Sequence, residues 1–367
     1  MKKRLFSLLL VSALVFTLSG CGEKSLLRES DPVTLNFWHV YGEQSGSPMD
    51  LLVQEFNRTV GQEKGVRVQV TNLSSASKIG GFLKEAQKGG RDAPEMPDLF
   101  TCHISDATAL GSDNLVDWNA RFTAEELSNF VPGFLADGMT EDGTLLLFPI
   151  SKSTQLLMCN GSGFARSLAQ GHVVVSDLYS NTQVMTGDVL SGLGSSAAIL
   201  YDNDTVTYRD GTQEPMDLHV LPMPKTAGAD ALMTQAGVGL CAYKTTDQKA
   251  EAAALFVRWL TESERNLDFV AQTGYMPVRN GAFDAIENYD KFPEPTESYR
   301  QLYAALKIMQ ESYTPLSEPR FEGYYGKVSQ LYDGLRQMQQ KLPARAAAGE
   351  SIDTLAEETW ALLCAIH

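Results

Sequence analysis

The sequence predicts an α/β chain in two lobes, with sheet flanked by helices. Two observations carry this: strand-type and helix-type patterns alternate from residue 33 onward, and the chain is 367 residues long. Alternating strands and helices build a mostly parallel sheet with helices on its faces. A chain of that length divides its core in two rather than enlarging one.

The elements follow in order. Val33, Leu35 and Phe37 alternate with Thr34, Asn36 and Trp38, the period of a strand. Ser47-Pro48 supplies an N-cap and a first-turn proline for a helix carrying Leu52, Val53, Phe56 and Val60. Gly61 and Gly65 mark its exit, and Val66, Val68 and Val70 form a second strand. A helix from Ser77 turns Ile79, Phe82, Leu83 and Ala86 inward, and Pro97 to Thr101 reads as a third, buried strand. Further on, Leu145 to Met158 is strand-like across Pro149, and Ala197 to Tyr201, His219 to Pro224 and Val238 to Ala242 are short strands. Thr246 caps a helix with Ala250, Ala254, Val257 and Leu260 on one face. Thr261-Glu262-Ser263-Glu264 has capping-box spacing for the next, which stops at Gly274. The rest, to His367, reads as mostly helical.

Residues 1–20 stand apart from this fold. Lys2, Lys3 and Arg4 precede an apolar run from Leu5 to Leu18, too short for a membrane span of ~20 apolar residues. Leu18-Ser19-Gly20-Cys21 resembles a lipobox, in which Cys21 takes a diacylglyceryl group and becomes the new N-terminus. The expectation is a lipoprotein signal peptide over 1–20, Cys21 as the lipidated residue, and a polar tether over 21–30. Two or more acyl chains anchor stably, which places the protein on the outer side of the cytoplasmic membrane.

Charge narrows the partners. The whole chain carries −15; residues 1–20 hold three positive charges and no negative one, so −18 remains after their removal. That disfavours nucleic acid, which calls for a basic patch. Cys102, Cys159, Cys241 and Cys364 form no C-x-x-C and have no histidine at ligand spacing, so each reads first as a small buried hydrophobe. No metal or cofactor is expected. Gly192-Leu193-Gly194-Ser195-Ser196-Ala197 fits a dinucleotide fingerprint, but a helix-like segment precedes it and a strand follows, the reverse of what that fingerprint requires. There is no nucleophile elbow and no H-E-x-x-H, and no acidic pair among 45 acidic residues stands out for glycoside hydrolysis.

Several pieces together resemble a known family, the sugar-type solute-binding proteins of ABC importers, maltose-binding protein among its relatives. They are Leu35-Asn36-Phe37-Trp38-His39, Met96-Pro97-Asp98-Leu99-Phe100, Leu147-Phe148-Pro149-Ile150-Ser151, Leu157-Met158-Cys159-Asn160, Arg258-Trp259-Leu260-Thr261 and Gly274-Tyr275-Met276-Pro277-Val278. The resemblance implies a two-lobed periplasmic-binding-protein-like fold, each lobe a sheet flanked by helices, joined by hinge strands over a ligand cleft, the first lobe of about 31–150 and 238–287, the second of about 151–237 and 288–367. It implies a non-enzymatic protein that captures a small solute, a carbohydrate, and delivers it to ABC importer permease subunits by cleft closure. One departure is large: between Asn160 and Gly192 the family places on the order of a hundred residues, and here about thirty stand. The second lobe is therefore expected to be short. Two alternatives stay open: a surface lipoprotein glycan hydrolase, and a shortened lipoprotein that binds a partner without transporting.

Sugars are held by aromatic faces and planar polar groups, beyond the carboxyl ends of strands in open α/β sheets. Trp38, His39 and Tyr41 follow the first strand; Thr101, Cys102 and His103 follow the third; Ser151 and Ser153 follow the Pro149 crossing. Tyr201 and Asp202 end the Ala197–Tyr201 strand, Gln235 and Gly237 precede the return crossing, and Tyr275 precedes Pro277. Of these, Trp38, His39, Tyr41, Thr101, Ser151, Ser153, Tyr201, Gln235 and Tyr275 are the expected ligand-binding residues. Tyr324 and Tyr325 are weaker candidates, and Trp118 and Trp259 are assigned to packing.

Overall fold

The computed structural model describes residues 25–41, 47–72, 76–160, 179–225, 228–294, 296–317, 319–321 and 324–350. The expected lipobox and Cys21 lie outside them, as do Cys364 and much of the 161–190 stretch on which the short-lobe expectation rests. Among the described residues no helix is long and apolar enough to cross a membrane.

The first body is a four-stranded sheet in the order β10-β3-β1-β2, from β1 (Val33–His39), β2 (Val66–Asn72), β3 (Leu99–Cys102) and β10 (Gly239–Ala242). β1 is parallel to both neighbours, and β10 closes the edge antiparallel to β3, Gly239 opposite Cys102. Strand alternation sorts the side chains onto two faces. Leu35 and Phe37 meet Phe56 and Phe256 on one, from helices α1 (Pro48–Arg58) and α8 (Asp247–Leu260). Phe100, Cys102 and Cys241 meet Ile79 and Leu83 of α3 (Ala76–Lys88) on the other. Helix α1 starts as its sequence dictates, Ser47 Oγ accepting from Asp50 N with Pro48 in the first turn; Thr246 likewise caps α8 from Lys249 N. Gly65, at φ 67°, ends α2 (Val60–Lys64) in the left-handed region that glycine enters without penalty.

The second body is built on an antiparallel sheet, β5-β4-β8, of β4 (Gln155–Asn160), β5 (Ser191–Ser195) and β8 (Leu218–Leu221). Helix α7 (Ser180–Met185) lies against β5 and α11 (Thr296–Ser312) against β8. A hairpin of β6 (Thr205–Thr207) with β7 (Gln213–Pro215), and a parallel pair of β9 (Leu232–Gln235) with β11 (Thr314–Ser317), complete its strands. The segments between the bodies run side by side. Ser153 and Ala236 exchange both backbone hydrogen bonds at 3.0 Å, and Lys152 bridges to Met276. One contiguous core runs through this junction, from Leu35 and Phe256 to Ile199, Val220 and Leu302.

The structure corrects three readings. The strand expected across Pro149 is broken into single bridges, Phe148 to Leu240 and Ser153 to Ala236, before β4 begins at Gln155; a proline cannot donate to a ladder. Ala197–Tyr201 is not a strand but part of a 3-10 helix, Ser196–Tyr201, started by Ser195 Oγ, which accepts from Ala197 N. Tyr201 and Asp202 therefore end a helical turn. The same finding reverses the context of Gly192 to Ala197, which is strand and then helical turn. The dinucleotide reading still fails, because β5 is antiparallel to its partner and only a six-residue turn follows. Last, Thr261 to Glu264 forms no capping box: Thr261 Oγ1 donates to Val257 O at 2.8 Å, and α9 (Ser263–Ala271) has no side-chain cap. A capping box that the reading passed over joins Thr123 and Glu126 at the start of α5 (Ala124–Ser128).

Candidate functional site

A cavity of about 480 Å³ lies at the carboxyl end of β3, within the 300–1,000 Å³ typical of ligand pockets. Its walls follow from the topology. His103 and Ile104 continue directly from β3, and because β10 runs antiparallel, the residues just before it, Gln235 and Gly237, arrive at the same edge. Asp137, the last residue of α6 (Pro132–Asp137), forms one side, and Arg320, Phe321 and Tyr324 another. Gly237 has φ 108°, and a side chain there would lie 3.8 Å from both the Tyr275 ring and Ser153 N. The crossing segments therefore meet beside the cavity.

Two features of this cavity bear on a ligand. Gln235 is 3% exposed and its Oε1 has no hydrogen-bond partner. Asp137, also buried, pairs with the ammonium of Lys152, which is 1% exposed and sits on the first crossing segment. A buried pair of this kind is held at a desolvation cost, and removing either partner alone strands a charge.

The expected ligand residues separate into groups. Gln235 lines the cavity. Tyr41, Ser151 and Tyr275 form a cluster at the junction: Tyr41 Oη lies 3.1 Å from Ser151 Oγ, and its ring meets Tyr275 edge-on at 6.2 Å. Burial raises the Tyr41 and Tyr275 hydroxyls above the usual phenol range, so both stay neutral hydrogen-bonding groups. Ser153 is buried and engages Ala236 through its backbone. Thr101 is fully buried on β3, its Oγ1 unpartnered. Trp38 is half-buried between β1 and α3, its ring 6.4 Å from Phe82.

His39 shares the strand phase of Leu35 and Phe37 and is fully buried. Its Nε2 lies 2.9 Å from Asp50 Oδ1 and its Nδ1 accepts from Tyr41 N at 3.2 Å. Burial holds this imidazole below its usual range, with Asp50 pulling the other way. Its place in the strand period was the signal that it faces the core.

Tyr201 is 63% exposed at the end of the 3-10 turn. Beside it Asp202, whose Oδ2 has no partner, is pushed up to about 6 by burial, the Asn181 side chain opposing. Neither lines the cavity. A larger hollow of about 720 Å³, between residues 286–292 and α11, holds none of the expected residues. Trp118 and Trp259 are core, as expected; Trp118 Nε1 donates to Leu146 O and Leu240 O at 3.2 and 3.1 Å. Asp137 and Lys152 were not found by sequence reasoning, because neither stands in a local pattern that reveals the partner.

Against known proteins, residues 164–294 match the family described as bacterial extracellular solute-binding protein. No curated protein matches the chain in sequence. Solved structures match along nearly all of it. The cyclic alpha-maltosyl-1,6-maltose binding protein of Arthrobacter globiformis is 14% identical, covering 92% of this chain and 99% of its own, with a TM-score of 0.63. UgpB of Mycobacterium tuberculosis, in complex with glycerophosphocholine, is 15% identical over 91% and 99%, with a TM-score of 0.61. An extracellular solute-binding protein of Alicyclobacillus acidocaldarius is 13% identical over 90% and 97%, with a TM-score of 0.63. The fold is thus that of the two-lobed extracellular solute-binding proteins, and the resemblance read from the sequence is borne out.

Proposed function

We propose that this protein captures a small solute, a carbohydrate, outside the cell and delivers it to an ABC importer by closing two lobes around it. The observation that carries the reading is the cavity at the carboxyl end of β3, bounded by the crossing segments and lined by Gln235, Asp137 and His103. The match over 164–294 and the sugar-binding structural relatives support it. In this reading Gln235 contacts the solute directly, and Tyr41, Ser151 and Tyr275 line the floor as the lobes close. Thr101 and Ser153 are assigned to the same cleft on closure, whereas Trp38, His39 and Tyr201, which do not line this cavity, are not. The lobes divide at about 150, 237 and 287, the protein does no chemistry on its solute, and it is held at the membrane through acylated Cys21.

A thermal-shift screen of the chain from Cys21 against mono- and oligosaccharides tests this. A ligand at 100 times its Kd adds about 2.7 kcal/mol. If no carbohydrate in a broad panel raises the melting temperature, carbohydrate capture is wrong. Membrane fractionation of Cys21→Ser tests the anchor, and unchanged processing and lipid labelling would remove it.

A further inference from the structure

Resting on the anchored solute-binding reading, we propose that the amino edge of the first sheet is the face this protein turns to the membrane lipid, held there by a clasp between residues 25–31 and Glu251 of α8. The sequence leads one to expect a tether over 21–30, yet from Ser25 onward that segment is docked. Ser25 Oγ donates to Glu251 Oε1 at 2.6 Å and Leu26 N to Glu251 Oε2 at 3.0 Å, so one carboxylate accepts from both. Leu27 N donates to Ser25 Oγ at 3.2 Å, and the Leu27 side chain packs on the core. Asp31 N turns back to Arg28 O at 3.0 Å, and Gln248 Nε2, also from α8, donates to Asp31 O at 3.1 Å. Gly65 lies so close to the Arg28 carbonyl that no side chain would fit between them.

Topology fixes where this clasp sits. β1 and β2 are parallel and start opposite one another, Val33 against Val66, with Gly65 just before. β10 runs antiparallel to β3 and leaves at Ala242, opposite Leu99, so α8 also begins at the amino edge. The cavity lies at the other edge, where β3 ends and Gln235 and Gly237 arrive. The chain between the acylated residue and the clasp is short: Cys21 to Ser25 is four residue steps, a reach of ~14 Å when fully extended. A long tether would let any face meet the lipid. Four steps keep Ser25, with the exposed Leu26 beside it, close to the headgroups in which the acyl chains end. The cavity edge then faces the medium. Peeling the clasp back to Asp31 lengthens the leash to ten steps, ~35 Å, and gives the body room to turn its cavity edge toward an importer.

The test uses the full-length protein, processed and lipidated by the cell and reconstituted in vesicles of phosphatidylcholine and phosphatidylglycerol. A donor dye on an azido side chain replacing either Lys64, exposed at the amino edge, or Phe321, exposed at the cavity, reads the distance to an acceptor lipid by energy transfer. The label at 64 should lie about 20 Å nearer the lipid than the label at 321, roughly the length of the seven-residue β1. In Glu251→Ala that difference should shrink, and trypsin cleavage after Arg28 should rise at least about tenfold, as for the loss of one charge-assisted hydrogen bond. Equal distances for the two labels, or a nearer label at 321, overturn the membrane-facing edge. Cleavage after Arg28 as fast in wild type as in Glu251→Ala overturns the clasp. Energy transfer between copies of Cys21→Ser labelled at 64, free in solution, would make this edge a dimer face instead. If Cys21→Ser stays on the vesicles as well as wild type does, the anchor fails and this inference with it, while solute capture, read separately by thermal shift, stands.

Discussion

The sheet of the first body and the junction beside it treat buried polar groups in opposite ways. Around β1 and β3 most are paired, Thr101 Oγ1 excepted: Asp98 accepts from Asn36 N at 2.9 Å and from Lys249 Nζ at 2.7 Å, His39 is engaged on both ring nitrogens, and Trp118 donates to two carbonyls. Between residues 154 and 235 the pattern fails. Of six buried side-chain atoms without partners among the described residues, four belong to Thr154, Ser196, Asp202 and Gln235. A scaffold satisfies itself, whereas a region that meets a ligand or changes shape keeps open valences, at a cost in stability.

The largest test of that contrast is Lys152. Lys152→Met leaves Asp137 buried without its counter-ion and should cost about 3–5 kcal/mol. Lys152→Met with Asp137→Leu should recover most of it, as read from urea unfolding midpoints; a double variant no better than the single would show that the pair is not what the junction depends on.

Asp202 comes next, and its sign is opposite. Its carboxyl rises from 3.8 to about 6 on folding. The folded state therefore holds this proton more tightly than the unfolded state, and stability falls as pH rises from about 4 to about 6. Above that range the ionised carboxylate remains a burden of about 3 kcal/mol. Asp202→Asn should stabilise the protein at pH 7 by roughly 1–3 kcal/mol and flatten the pH dependence between 4 and 6. A loss of stability at pH 7 would mean that the carboxylate is paired after all.

On the scaffold side, Thr123→Ala removes a formed capping box and should cost about 1 kcal/mol. Glu264→Ala should change stability by less than about 0.5 kcal/mol, because the look-alike box at Thr261 is not made. Equal effects of these two substitutions on the thermal midpoint would contradict the cap geometry.

Much of the scaffold was legible because its signals are local. The alternation in Val33 to Trp38, the Ser47-Pro48 start and the Thr246 cap each declare themselves within a few residues, and β1, α1 and α8 appear where they point. Ala197 to Tyr201 misled because a short apolar run has no period to separate strand from helical turn. Thr261 to Glu264 matched a motif, but α8 runs to Leu260 and takes the Thr261 hydroxyl for its own last turn. Within the candidate site, Gln235 could be reached from its place before the return crossing. Asp137 and Lys152 could not, because what defines them is a partner fifteen residues away across a fold boundary.

The position of β10 also bears on how the molecule is made. The first sheet is complete only when Gly239–Ala242 docks on β3, yet the whole second sheet, β4, β5 and β8, lies between those two strands in the chain. During synthesis from N- to C-terminus, β3 therefore stands as an open edge until β4, β5 and β8 have emerged, and open edges invite pairing with other chains. Trp118 is placed to report the end of that wait, since one of its two indole hydrogen bonds is to Leu240. Its fluorescence should reach the native value only once β10 has docked, a long-range step that closes the edge through which unfinished chains pair with one another.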